Sequence, residues 1–146
     1  MTHKGIGFLS TFDLHHLDLA VRPIYRAFGQ HPYIVGSANE RPDFRDVDIR
    51  LMLPDAEFDA LFGERKKLWG LLCYSITAWL RAETGLPIDF QIQRTTEANA
   101  RFGGKMRNPL GVDRDFAGLG DANNLDPVRN AQLVAAPHPE AEGGRT

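Results

Sequence analysis

From Ser10 or Thr11, the apolar residues Leu14, Leu17, Val21, Ile24 and Phe28 recur at three- and four-residue steps, the spacing of one helix face. Gly29 is a stop signal, and Pro23 predicts either a kink or a division into two helices. Before it, residues 1–9 are punctuated by Gly5 and Gly7 and read as a lead-in loop or a frayed edge. Tyr33–Val35 is a short strand ending on Gly36-Ser37, and polar Asn39 to Arg45, with Pro42, reads as a loop or a single helical turn. Asp46 to Leu53 is a second strand: Val47, Ile49 and Leu51 take one face, and Asp46, Asp48 and Arg50 the other. Phe58, Leu61 and Phe62 predict a short helix closed by Gly63. A long helix then runs from about Glu64 to Glu83, with Leu68, Leu71, Leu72, Ser75, Ile76, Trp79 and Leu80 as its buried stripe and Thr84-Gly85 as its end. Pro87 to Arg94 alternates cleanly, Ile88, Phe90 and Ile92 against Asp89, Gln91 and Gln93, and predicts a third strand. A further helix is expected over Thr96 to Phe102, before a glycine-rich run through Gly111.

This order predicts an α/β (α+β) protein in which a small mixed sheet has helices packed on its apolar face. The 146 residues suffice for one domain with a real core, and an apolar fraction of 42% is ordinary for a globular chain. The expected division is a domain over 1–111, an extension over 112–136 packed on it, and a disordered tail over 137–146. Residues 1–111 carry 14 Lys/Arg against 13 Asp/Glu, whereas 112–146 carry 3 against 6, so the acidity lies in the tail. A net charge of −2 offers no broad footprint for nucleic acid. The lone Cys73 excludes an intrachain disulfide and fits a reducing compartment. No apolar run approaches the length of a membrane span and no leader pattern opens the chain, so a cytoplasmic location without a membrane partner is expected.

Candidate chemistry centres on Asp46 and Asp48. Two carboxylates two residues apart on a strand lie about 7 Å apart and can lean toward one cation or a close pair of cations. Folding does not require them, because like charges on one strand face repel. Arg50 shares their face and is placed either to pair with a carboxylate or to hold a phosphate. Lys105, Arg107 and Asn108 lie in a glycine-rich loop that reads as a basic surface turn or as a lid over phosphates. The other conspicuous residues have ordinary readings: His15 and His16 as surface or cap residues, Cys73 as a buried filler, Trp69 and Trp79 as core, and Arg65 to Lys67 as a solvated face.

Gly36-Ser37, Asp46-Val47-Asp48 and Asp89, in this order and with a helix between the two acid-bearing strands, resemble the nucleotidyltransferase superfamily that includes polymerase β, in its minimal single-domain form. The resemblance covers about Ser10 to Arg94. It is closer to a group of actinobacterial and phage proteins with similar RDVDIRL, LPIDFQIQ and RNPLG runs. It implies a nucleotidyltransferase-like fold and transfer of a nucleoside monophosphate from a nucleoside triphosphate to a hydroxyl on a protein, an RNA or a small molecule. It also implies Mg²⁺ or Mn²⁺ held by Asp46, Asp48 and Asp89, with Gly36, Ser37, Arg45, Arg50 and Lys105 toward the nucleotide. Small members often serve in toxin–antitoxin pairs, which would add a protein partner. The spacer from Ser37 to Asp46 is shorter than the family's and keeps only Arg41 and Arg45 of its usual arginine-rich segment. The alternatives are a catalytically inactive module of the same fold that binds or regulates, and a metal-dependent phosphohydrolase. The second lacks a histidine near the acids in sequence, since the histidines are His3, His15, His16, His31 and His138.

Overall fold

The structure, a computed structural model, describes residues 7–114. The expected extension over 112–136 lies outside the described residues from 115 onward, as does the whole of the expected tail over 137–146. The protein is α+β, with helices packed against a small mixed four-stranded sheet. Helices α1 (Thr11–Ala20) and α2 (Arg22–Phe28) are the two halves of the first predicted helix, divided at Val21 ahead of Pro23. Ser10 caps α1 by accepting from Asp13 N, and Gly29 ends α2 in the left-handed conformation. Strand β1 (Tyr33–Val35) is followed by a single helical turn, α3 (Ser37–Glu40), and then by β2 (Val47–Leu53). Helices α4 (Asp55–Leu61) and α5 (Lys66–Thr84) carry the chain over to β3 (Ile88–Arg94), and α6 (Thr95–Phe102) leads to β4 (Asn108–Pro109).

The sheet order is β3-β2-β1-β4, with β2 and β3 parallel and β1 antiparallel to both β2 and β4. Val47, Ile49 and Leu51 of β2 and Ile88, Phe90 and Ile92 of β3 are buried in one cluster with Leu14, Leu17 and Leu80. The opposite face is not left wholly to solvent, because Val35, Arg50, Met52 and Gln93 are also buried. Strand β4 was not anticipated. It has only two residues, pairs with Tyr33 and Ile34 at the sheet edge, and includes Pro109, a residue tolerated there because an edge strand can spare an N–H.

The buried stripe of α5 differs from the predicted one. Of the predicted residues, Leu80 is buried and Leu72 and Ile76 pack against the core, but Leu71 is 62% exposed and Trp79 37%, Leu68 and Ser75 are also exposed, and Cys73 and Trp69 join the packed side. The reason is that α5 lies along the open edge of β3 and satisfies its backbone. Trp69 Nε1 donates to Ile92 O at 2.8 Å and Arg81 Nε to Ile88 O at 2.9 Å. Thr77 Oγ1 donates to Phe90 O and accepts from Phe90 N, while Cys73 Sγ accepts from Ile92 N. Trp69, Cys73, Thr77 and Arg81 recur every four residues, so one helical row covers an edge that would otherwise be open to another strand. The thiol is thereby fixed as a buried acceptor, and burial raises its pKa, in keeping with a filler.

At the other side of the sheet, Asp18 of α1 accepts from Gly111 N and forms a buried ion pair with Arg114 at 2.6 Å. Arg114 also donates to Pro109 O, which ties the chain beyond β4 to α1. Burial pushes the Asp18 carboxyl above its usual range even though Arg114 acts against it.

Two outcomes are expected. Thr77→Val removes both bonds to Phe90 at an isosteric side chain and should lower unfolding stability by about 1–3 kcal/mol in urea titrations. Arg114→Met leaves Asp18 buried without its cation and should cost about 3–5 kcal/mol near neutral pH. A carboxyl with a raised folded-state pKa stabilises below its unfolded pKa and loses that contribution as pH rises through the folded value. Since Arg114 holds the value down, its removal raises it further. The deficit of Arg114→Met should therefore shrink as the urea titration is moved from pH 7 toward pH 4, and a pH-independent deficit would contradict this.

Candidate functional site

The acids are brought together by strand register. Asp48 and Asp89 are direct Cα partners across the parallel β2–β3 pair, and Val35 is the partner of Asp48 on β1. The site thus sits where the N-terminal ends of β2 and β3 meet the C-terminal end of β1. At this point β1 turns through Gly36, whose φ of 77° and ψ of −152° belong to a region that is essentially glycine-only. A Cβ on Gly36 would lie 2.5 Å from Asp48 Oδ2. Glycine is therefore required both for the backbone conformation and for the room that the carboxylate occupies. Ser37 opens α3 directly beyond it.

That single turn is anchored by Asn39, which is buried. Its Nδ2 donates to Ile34 O at 2.9 Å and to Met106 O at 3.1 Å, and its Oδ1 accepts from Asn108 Nδ2 at 2.7 Å. Neither Asn39 nor Asn108 was singled out for this role. The stretch from Asn39 reads in sequence as a loop or a single helical turn, and nothing in the spacing of two distant asparagines signals that they meet. Together they hold the Gly36-Ser37 turn against β1 and the segment leading into β4.

Arg50 is the cation of the site. It is 7% exposed, and its Nη1 donates to Asp89 O at 2.7 Å and to Ile49 O at 3.0 Å. Its Nη2 lies 3.3 Å from Asp89 Oδ2 and 3.9 Å from Asp48 Oδ1. Of the two roles open from sequence, the structure places Arg50 in the carboxylate-pairing one. Its Nε is buried with no hydrogen-bond partner among the described residues. Asp48, with its side chain 25% exposed, has a pKa raised chiefly by desolvation. Arg50 opposes that rise, and Asp89 and Asp46 add to it through like charge, Asp89 also through a side-chain hydrogen bond.

The remaining candidates are more dispersed. Asp46 is exposed and lies one residue before β2 instead of within it, so it shares Asp48's field without being fixed in the ladder. Arg45 is exposed as well. Lys105 is exposed and lies 3.9 Å from Glu40, the last residue of α3, which brings its loop to the Ser37 side of the site. An exposed pair of this kind contributes about 0–1 kcal/mol and leaves the lysine easily redirected. Arg107 instead braces α6 by donating to Ala98 O and Asn99 Oδ1. A cleft of about 370 Å³ between α1 and α5, lined by His16, Leu19, Ala20, Pro23, Trp79 and Glu83, includes none of these residues.

Among the described residues no group of three or more His, Cys, Asp or Glu is arranged to hold a metal ion. Two carboxylates side by side, partly open to solvent, nevertheless suit a hard divalent ion such as Mg²⁺. That ion keeps several waters and is commonly held by one or two carboxylates together with substrate phosphates. Asp48 and Asp89 would supply those oxygens, with Asp46 close enough in charge to assist.

Replacing Gly36 with Ala should cost about 1–3 kcal/mol of stability, from the glycine-only conformation alone. It should also displace the Asp48 carboxylate, visible as chemical-shift change at Asp48 and its partner Asp89 in NMR spectra. An unshifted Asp48 would count against the close approach. No protein-family model, curated protein or solved structure matches this chain.

Proposed function

We propose that the chain is a metal-dependent nucleotidyltransferase that moves a nucleoside monophosphate from a nucleoside triphosphate to a hydroxyl acceptor on a protein, an RNA or a small molecule. One observation carries this reading: the Gly36-Ser37 turn abuts an Asp48 carboxylate that is itself in register with Asp89. The turn, the Asp48 carboxylate and the Asp89 carboxylate are thus adjacent, which supports the phosphate-binding and metal-binding roles that the resemblance to minimal polymerase β-like transferases implies for them.

The residues divide the work as follows. Gly36, lacking a side chain, lets the triphosphate approach the main chain, and the Ser37 hydroxyl and amide bind it. Lys105, whose loop reaches the end of α3, binds the outgoing phosphates. Asp89, with its side chain 44% exposed, accepts the proton of the acceptor hydroxyl. The hydroxyl oxygen forms a bond to the α-phosphorus, the bond from that phosphorus to the bridging oxygen breaks, and pyrophosphate departs with the electron pair. Bound Mg²⁺ or Mn²⁺ at Asp48 would supply charge stabilisation for the non-bridging and leaving oxygens.

A second reading, a non-catalytic nucleotide- or protein-binding module, is favoured by the exposed position of Asp46 outside the β2 ladder and by the shortened spacer. Calorimetric titration of each nucleoside triphosphate, with and without Mg²⁺ or Mn²⁺, separates the two. The transferase reading expects binding that needs the metal and is weakened at least about tenfold in Asp48→Asn. A folded protein that binds none of them, or binds equally in Asp48→Asn, would sink it in favour of the inert module.

A further inference from the structure

Arg50 is held too firmly to be a phosphate ligand that comes and goes. Its guanidinium is buried, donates to two main-chain carbonyls, and meets Asp89 Oδ2. It also divides the Asp48 carboxylate. Oδ1 faces Arg50 at 3.9 Å, while Oδ2 is the oxygen that a Cβ on Gly36 would strike. On Asp89 the oxygen toward Arg50 is Oδ2. Each carboxylate therefore has one oxygen on the side of the guanidinium, Asp89 Oδ2 within hydrogen-bond distance and Asp48 Oδ1 farther off. The buried, unpartnered Nε has the same origin, since the guanidinium is oriented for the acids and the carbonyls at the expense of its third nitrogen.

Charge bookkeeping then limits what else the site can take. Asp46, Asp48 and Asp89 with Arg50 leave a formal charge of −2, which one divalent ion cancels. Two such ions would leave the site positive before any phosphate arrived, and the second would lie near a fixed guanidinium in a partly desolvated setting.

We propose that Arg50 is a resident cation that stands in for the second metal, so that the protein alone takes one divalent ion at Asp48 and Arg50 sets both the number and the affinity of ions bound. This rests on the transferase reading for the presence of a metal at Asp48. Arg50 is a positioning residue in this scheme, holding Asp89 and neutralising the pair without touching the nucleotide.

The test is Mn²⁺ titration of the full chain without nucleotide, followed by the loss of the free-ion signal in electron paramagnetic resonance. Wild type, Arg50→Met, Arg50→Lys and the Asp48→Asn variant of each would be compared. Wild type should bind one ion, and Arg50→Met should bind a second ion or bind the first at least about tenfold tighter. Arg50→Lys, a point charge that cannot span both acids and the carbonyls, should fall between them. All of this binding should disappear with Asp48→Asn. Should Arg50→Met fold only with Mn²⁺ present, that dependence is itself support. Should it fail to fold under either condition, Arg50→Lys decides, and wild-type affinity and stoichiometry in it would overturn the proposal. Two ions bound by wild type, or no change in Arg50→Met, would overturn the proposal while leaving the transferase reading intact. Absence of Asp48-dependent binding from every variant would overturn both.

Discussion

Everything at the acidic end of the sheet depends on the in-register parallel pairing of β2 with β3. That register is set by the other face of the same two strands. Val47, Ile49, Leu51, Ile88, Phe90 and Ile92 are all buried, each contributing about 1.5–3 kcal/mol as a fully buried side chain. A slip of one residue in either strand would turn that strand's three to the wrong face. Against that, like charges directly opposite cost on the order of 1 kcal/mol or less per pair. The core term wins by a wide margin, so Asp48 and Asp89 are held side by side by residues that never touch them.

The helical row along β3 makes the same register durable. Trp69, Cys73, Thr77 and Arg81 occupy the hydrogen-bonding groups that an edge strand leaves open, and two other rows of the helix meet different surroundings. One neighbouring row, Leu72, Ile76 and Leu80, goes to the core, and another, including Leu71 and Trp79, faces outward. This explains why apolar periodicity drew the buried stripe too wide, adding the outward row to the core row. Leucine and tryptophan announce apolar surface, but a helix that must serve a strand edge is oriented by its donors and acceptors, and a threonine or an arginine carries no such signal in a hydrophobicity pattern.

The strands themselves were legible because alternation is a direct imprint of a two-faced sheet, and the split helix was legible from Pro23 and Gly29. Asp46 and Asp48 could be named because two acids on one strand face bear a visible repulsive cost, and Asp89 only through the resemblance. Three features stayed out of reach for physical reasons. Strand β4 is two residues long, too short for any period. Asn39 and Asn108 meet across 69 positions of chain. The placement of Asp46 one residue outside β2 turns on where the ladder begins, at Val47 N donating to Pro87 O, and not on Asp46 itself.

Arg50 shows why a sequence can display a site and still leave its chemistry undecided. An arginine two residues from an aspartate on one strand face has the same pattern whether it waits for a phosphate or completes a buried pair. The difference lies in main-chain carbonyls that it reaches on its own and the neighbouring strand, Ile49 O and Asp89 O. Those two acceptors convert a mobile cation into a fixed one, because leaving them means withdrawing a guanidinium from a buried position where its donors are already satisfied on two sides. With that cation fixed, the carboxylate pair reaches the folded state partly neutralised, and any ion that joins it competes with charge already in place. The arrangement separates two tasks that the acids would otherwise share. Arg50 makes the pair tolerable to the fold, and the other oxygen of Asp48 lies beside Gly36, where the proposed ion would bind.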